Sequence, residues 1–364
     1  MKYAVVILGL CWGAILHAAG PRLIIHDAKI VTVDPAFSIR QAMAVEGNRI
    51  VAVGRDEDIL RLRTQDTEVL DLDGRMVLPG LIDSHVHACG AAMTEFDHPI
   101  PDMESVQDVL EYFRTRAGQL QDGQWIVLQQ VFITRLREQR YPTRAELDEA
   151  VPNNPCVFRT GPDASLNTLA LKLSGIDRDF RVTDGGPGYI EKDPRTGEPT
   201  GILRGCTRYI KSRDPGRKTT EQDRYERLLA LFKDYSSVGL TGICDGDASQ
   251  GNLDLYGRML DKGEMPVRIA AQYHVDTIGP IEQIEESIRK VGQHPLRRGG
   301  PMLKVIGVKV YLDGGMLTGS AYMSRPWGVS KIYAIDDPNY RGVLFIPKDR
   351  LLAMVRTATE SGLQ

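Results

Sequence analysis

The chain has 364 residues, 42% of them hydrophobic, and a net charge of −3. That length supports one large or two modest globular domains. The nearly balanced charge gives no footing for nucleic acid or an anionic membrane surface as partner.

The first twenty residues stand apart. Lys2 gives a short positive start, Ala4 to Ile15 form an apolar run, and Ala18-Ala19-Gly20 offer small residues for cleavage. Residues 1–20 therefore read as a signal peptide, which implies export to the periplasm or outside the cell. Apart from that segment, no apolar run is long enough to span a bilayer. Cys11 follows bulky Leu10 and is a poor lipoprotein site. Cys89, Cys156, Cys206 and Cys244 are too few for a disulfide framework in a chain this size, and buried free thiols are expected.

Residues 21–76 alternate short β-rich runs with turns and predict a small, sandwich-like β-domain. Gly47-Asn48 and Asp73-Gly74 are hairpin signals. A strand is expected over Val77–Ser84, apolar and buried. It runs into His85-Val86-His87, two histidines one residue apart. On a strand, residues i and i+2 project to the same side, so both imidazoles converge. Such a pair suits a divalent metal. Asp83, just before them, reads as a structural hydrogen-bonder, and a metal role for nearby Cys89 is disfavoured.

A long insert covers about residues 95–215. It predicts helices at Ser105–Leu120 and Thr143–Ala150, a strand at Trp125–Leu128, and further elements at Pro155–Thr160 and Asn167–Ser174. A Gly- and Pro-rich stretch follows from Asp184 to Gly201, with a turn at Asp193–Gly197. Trp125 and Trp327 are either core residues or pocket walls. Regular alternation begins after the insert. Helices are predicted at Thr220–Val238, Asn252–Lys262, Ile281–Val291 and Pro347–Ser361. Strands are predicted at Thr241–Asp245, Val267–His274 and Leu303–Leu312, with a long loop from Asp313 to Arg341. Alternating β/α units argue for a parallel sheet. Counting from Val77 there are four strands, half of a (β/α)₈ barrel. Residues 77–364 thus read as a partial barrel within a longer protein, or as an α/β domain complete at four strands.

The stretch PGLIDSHVH, together with Gly307–Gly315 and Thr196–Gly201, resembles the amidohydrolase superfamily, and within it amidohydrolase family 3, the branch that includes enzymes similar to N-substituted formamide deformylase. The resemblance runs from about Leu23 to the last residue. It implies a TIM-like barrel, of which about the first four β/α units are present, and a small β-domain completed from the C-terminal end of the chain. It implies metal-assisted hydrolysis of a carbon–nitrogen bond in a small, non-peptide amide, with one or two divalent ions, zinc first by donor type. His85 and His87 match the family's first metal ligands. Lys309 matches its lysine, which as a carbamate bridges the metals. A lysine on a buried strand, with apolar Val308 and Val310 beside it, has the depressed basicity that carbamate formation needs. The family's aspartate general base lies on strand eight, beyond Gln364.

Asp245, His274, Asp313 and Gly314 fall at the C-terminal ends of strands and are candidates for substrate contact. Asn167 matches a family segment that faces the site. Many members carry a histidine near the position of Pro162, and this departure leaves the substrate preference open. The competing readings are a metallohydrolase of ester or phosphoester bonds, and an inactive barrel that only binds. The expected partner is a small-molecule substrate, with no nucleic acid and no membrane beyond the signal peptide; a homodimer is allowed.

Overall fold

The computed structural model describes residues 20–129, 131–213 and 218–364. The signal-peptide reading, apart from Gly20, lies outside the described residues. The chain divides at Leu81/Ile82 into two units.

The first unit holds two small sheets. One has the order Arg49–Gly54, Ala42–Glu46, Leu23–His26, Glu68–Asp71; the other has the order Ile39–Arg40, Lys29–Val31, Met76–Val77. Gly47, at φ +56°, closes the Ala42–Glu46 and Arg49–Gly54 hairpin. Asp73-Gly74 is a turn but not a hairpin. Glu68–Asp71 pairs in parallel with Leu23–His26, and Met76–Val77 pairs in parallel with Lys29–Val31 in the other sheet. The turn chemistry specifies the reversal; the partners of the flanking strands come from some 45 residues upstream.

In the second unit a four-stranded sheet runs Leu303–Lys309, Arg268–His274, Leu240–Ala248, Leu81–Val86, which is sequence order read backwards. We call these strands four, three, two and one. The ladders of two with three and of three with four are parallel. Strand one starts at Leu81, not Val77: Pro79 has no N–H to give to a ladder, and Val77 belongs to the first unit's sheet. Strand one is also not buried. It is an edge strand, with Leu81 and Ile82 56% and 71% exposed. Strand four stops at Lys309. Beyond it, Gln364 donates to the Ile306 carbonyl at 3.2 Å and accepts from the Val308 N–H at 2.9 Å. Those are the two slanted bonds of a parallel ladder.

Helices Glu221–Ser237, Gln250–Asp261, Ile281–Gly292 and Lys348–Glu360 accompany the sheet. Their buried stripes follow the 3.6-residue period, as with Ile284, Ile288 and Val291. On the last helix the core side is Met354, Thr357 and Ala358, while Leu352 and Val355 face solvent. Among the described residues no helix is long and apolar enough to cross a membrane.

The insert has its own sheet, in the order Tyr189–Lys192, Pro199–Arg204, Asp163–Leu166, Cys156–Thr160, Ile126–Leu128. Helices Val106–Ala117, Arg144–Ala150 and Thr168–Ser174 pack around it. The strands Tyr189–Lys192 and Pro199–Arg204 lie in the stretch the sequence reads as turn-rich, and Asp163–Leu166 is a strand the sequence reading does not name. The Asp193–Gly197 turn joins the last two into a hairpin. Gly201 sits at φ +108°, where a Cβ would come within 2.8 Å of the Leu166 carbonyl oxygen. Glycine is required there, and it hides the strand from a propensity reading. Trp125 is buried in this core, and Trp327 donates through Nε1 to the Ala321 carbonyl.

The helix at Arg144 starts with a reciprocal cap between Thr143 and Glu146. Arg140 grips both Glu146 oxygens, at 2.8 and 2.7 Å. With the Thr143 bonds, this ion pair holds the carboxyl down from 4.5 to about 2. A carboxyl depressed in the folded state stabilises above its unfolded pKa and loses that contribution as pH falls through the folded value. Urea midpoints should therefore drop between about pH 5 and about pH 2, and Glu146→Gln should flatten that part of the curve.

Candidate active site

His85 is the penultimate residue of strand one, which ends at Val86, and His87 follows it, opening the short helix Ala88–Ala92. Asp83, in phase with both, accepts the His85 N–H at 3.0 Å and so fixes the turn of the chain into the pair. The two rings lie edge to face, 5.2 Å between centroids and 80° between planes. Neither imidazole is hydrogen-bonded to another described residue. Strand two passes beneath His85 at Gly246, where a Cβ would lie 3.2 Å from Cε1 and Nε2 of the ring. A larger residue there would push the ring out of place.

His87 opens into a cavity of about 450 Å³ whose walls include Asp245, Asp247, Arg224, Cys89 and Tyr311. Asp247 is its best-connected group. His274 Nδ1 lies 2.7 Å from Oδ1, and the Tyr311 hydroxyl donates to Oδ2 at 2.9 Å. Burial works against its charge, but those two partners, with His274 and His87 nearby, outweigh burial and hold the carboxyl below its ordinary value. His274 is raised in return, chiefly by its bond to Asp247. Asp245, two residues earlier, goes the other way. It is 1% exposed, and burial raises it although the Tyr256 hydroxyl donates to it at 2.6 Å. Cys89 donates to the Tyr256 oxygen at 3.4 Å, and burial pushes its thiol up to about 11. A thiol so held is protonated and a poor nucleophile near neutral pH.

Lys309 stands opposite His274 in the ladder. It is half-buried; strand four borders strand three on one side, and Gln364 pairs with it on the other. Its Nζ lies 5.0 Å from the Tyr311 ring centroid. Strands one and four are separated by three interstrand steps, ~14 Å in a flat sheet. Lys309 is thus linked to the histidines through Tyr311 and Asp247, and no direct contact joins them among the described residues.

The remaining sequence candidates divide. Asp245 and His274 belong to the cavity network. Asp313 closes the base of the loop after strand four: it bridges to Leu344, and its Oδ2 accepts the Tyr322 N–H at 2.7 Å. Gly314 packs against Ser320, whose carbonyl oxygen would lie 2.3 Å from a Cβ. Both shape the loop that follows Tyr311, a wall of the cavity. Asn167 is not a substrate group. It is buried and caps the helix Thr168–Ser174. Its oxygen accepts from Cys156 and Ala170, and its amide donates to the carbonyls of Val151 and Asn154. Every polar position on it is taken by the fold, each bond worth ~1 kcal/mol net.

Asp247 is the residue that sequence reasoning passes over. Strand two was expected to end at Asp245 and runs on to Ala248. The signal was present as Asp245-Gly246-Asp247, two carboxylates at strand period after an apolar run.

The donor chemistry suits a divalent cation in part. Two unbonded imidazoles converge beside a carboxylate held ionised. No group of three or more His, Cys, Asp and Glu side chains among the described residues is arranged to hold a metal ion, which leaves Lys309 as the further candidate on this chain.

A model of the amidohydrolase family matches residues 68–364. The chain belongs to this family. It is 32% identical to N-substituted formamide deformylase from Arthrobacter pascens over 305 residues, which cover 80% of this chain and 54% of that protein. Among solved structures it is similar to a metal-dependent hydrolase from Pyrococcus furiosus, with a TM-score of 0.57 at 18% identity, covering 94% of this chain and 66% of that one. A Pyrococcus horikoshii OT3 metal-dependent hydrolase aligns equally well, with a TM-score of 0.57 at 19% identity over 94% and 64%. The chain thus shares the fold of these amidohydrolase-type proteins. It spans little more than half the length of the deformylase.

Asp247→Asn should keep the fold but remove the charge that raises His274. The His274 imidazole should then titrate at lower pH, read by NMR, because its protonated form loses an anionic partner. An unmoved titration would show that Asp247 does not govern it.

Proposed function

We propose that this chain carries the histidine half of the metal centre of an amidohydrolase that cleaves carbon–nitrogen bonds in small, non-peptide amides. The observation that carries the reading is the unbonded His85–His87 pair at the end of strand one, opening on the Asp247 cavity, in a chain of this family. The four strands in sequence order, with Gln364 paired as a following strand would be, support a (β/α)₈ barrel as the complete architecture. The deformylase relative supports a carbon–nitrogen bond as the target.

His85 and His87 would hold the metal, with Lys309, as its carbamate, the third ligand on this chain. A bound divalent ion, zinc first for imidazole and carboxylate donors, supplies Lewis acidity: it makes water a source of hydroxide near pH 7 and polarises a carbonyl. The chain's own residues set the stage around it. Gly246 leaves His85 room, and Asp247 holds His274 and Tyr311 in place. No residue of this chain is assigned the general-base role.

Full-length protein purified without chelator should contain at least one divalent ion per chain, and His85→Ala in it should lose both the ion and amide hydrolysis, whereas residues 1–364 alone should bind metal weakly and turn over nothing. Metal below ~0.2 per chain in the unsubstituted protein would remove the hydrolase reading, since such sites bind through several protein ligands. Preference for esters over amides would move the reading to the ester class. Export is part of the same proposal. N-terminal sequencing of mature protein should start close to Pro21; a retained Met1 would count against cleavage.

A further inference from the structure

Arg204 is the largest fully buried side chain of the described residues, 1% exposed at the end of the insert strand Pro199–Arg204. A buried guanidinium is costly unless its charge and its five donors are all answered. Here the charge is answered by Asp163 and Glu191, each 3.7 Å away. Its donors go elsewhere. Nη1 donates to the Thr318 carbonyl at 2.9 Å and to the Tyr141 hydroxyl at 3.3 Å, and Nη2 donates to the Tyr333 carbonyl. The Tyr141 ring lies under the guanidinium, 5.1 Å away, and its hydroxyl donates to the same Thr318 carbonyl.

Thr318 and Tyr333 both belong to the loop that follows strand four. That loop leaves the sheet just after Tyr311, the cavity wall bonded to Asp247. Its base is closed by Asp313. Its near turn, Gly315, lies against Pro162, in the turn between the antiparallel insert strands Cys156–Thr160 and Asp163–Leu166. Gly319 lets Tyr333 lie against the turn, where a Cβ would come within 2.4 Å of the Tyr333 Cβ. One insert side chain therefore pins two separate points of the loop, and does so through loop carbonyls.

We infer that Arg204 is a positioning residue: it locks the loop after Lys309 to the insert, and so fixes one wall of the entrance to the His87 cavity from outside the barrel strands. The consequence for turnover rests on the cavity being the active site; the lock itself does not. Arg204 touches no group of the cavity, so its loss should act on substrate entry more than on the chemical step.

Asp163→Asn/Arg204→Met removes the lock and neutralises its fully buried partner, leaving Glu191, whose side chain is 26% exposed; an asparagine at 163 still accepts the Gly205 N–H. Tyr141→Phe is the milder second variant, loosening the Arg204 and Thr318 bonds together. Hydrogen exchange of loop amides between residues 315 and 335 should speed up about tenfold or more in the double variant and less in Tyr141→Phe, with helix Glu221–Ser237 unchanged. On the intact enzyme KM for an amide substrate should rise about tenfold with kcat within about threefold, and Arg204→Lys should recover part of the loss. Unchanged loop exchange in both variants would overturn the lock. Faster exchange with unchanged KM, or with a fall in kcat alone, would keep the lock and overturn its place at the entrance. Absence of any hydrolysis by the unsubstituted enzyme would count against the proposed activity and leave the exchange result standing.

Discussion

The candidate site depends on one constraint, the register of the parallel ladders at their C-terminal ends. Asp247, His274 and Tyr311 come from strand two, strand three and the residues just past strand four. They meet because each ladder carries one extra residue. Between strands two and three the partners run Asp245 with Ala271, then Ala248 with Tyr273. Three steps on one strand match two on the other. Between strands three and four, Ala271 pairs with Val305 and Gln272 with Gly307. An irregularity of one residue reverses which side the following side chains face. Without these two shifts the Asp247 carboxylate could not accept from His274 and Tyr311 at once. The bonds in turn pin the strand ends, where parallel strands have no turn to hold them.

The insert solves a different problem with the same physics. Two of its five strands, Tyr189–Lys192 and Pro199–Arg204, fall in a Gly- and Pro-rich stretch, and its buried polar groups do much of the specifying. Asn167 joins four backbone groups from separate segments. Arg204 joins the insert sheet to a loop more than a hundred residues further along. Each such group is worth little net when satisfied, but a missing partner costs the full desolvation of what is left behind. The arrangement is thus narrow: alternatives that leave Asn167 or Arg204 unanswered are excluded by several kcal/mol. Packing alone would tolerate many more arrangements of Leu166, Leu203 and Val157.

What could be read in the sequence follows from which signals are local. The histidine pair was legible because strand period alone places two residues on one side. Helix starts at Ser105, Thr143 and Thr220 were legible because each carries its own cap. The strand partners on either side of Asp73-Gly74 were not, since both are remote in sequence and a turn motif is silent about them. Exposure of strand one was misread because an apolar run looks the same at the edge and the centre of a sheet. Asp247 was missed for a related reason. A strand end that runs on past its apolar residues into Asp-Gly-Asp has no hydrophobic period to announce it. For Asn167 the likeness of a segment says where the residue lies, and its partners show a helix cap that joins backbone groups of the insert.

Asp245 and Asp247 show how little sequence separation is needed to divide labour between identical side chains. They share a strand and a cavity, and each raises the cost of charging the other. Asp245 resolves the conflict by burial. Tyr256 is its main partner, and Tyr256 is itself pushed far above the usual phenol range by burial beside Cys89 and Asp245. A phenol that holds its proton so firmly is a dependable donor, but it supplies no positive charge. Asp247 has the half-exposed position and two donors, one of which can become cationic. Like-charge neighbours in a confined space titrate apart, and here the environment decides which one yields. Asp247 is therefore the more readily ionised of the two, and Asp245 the less.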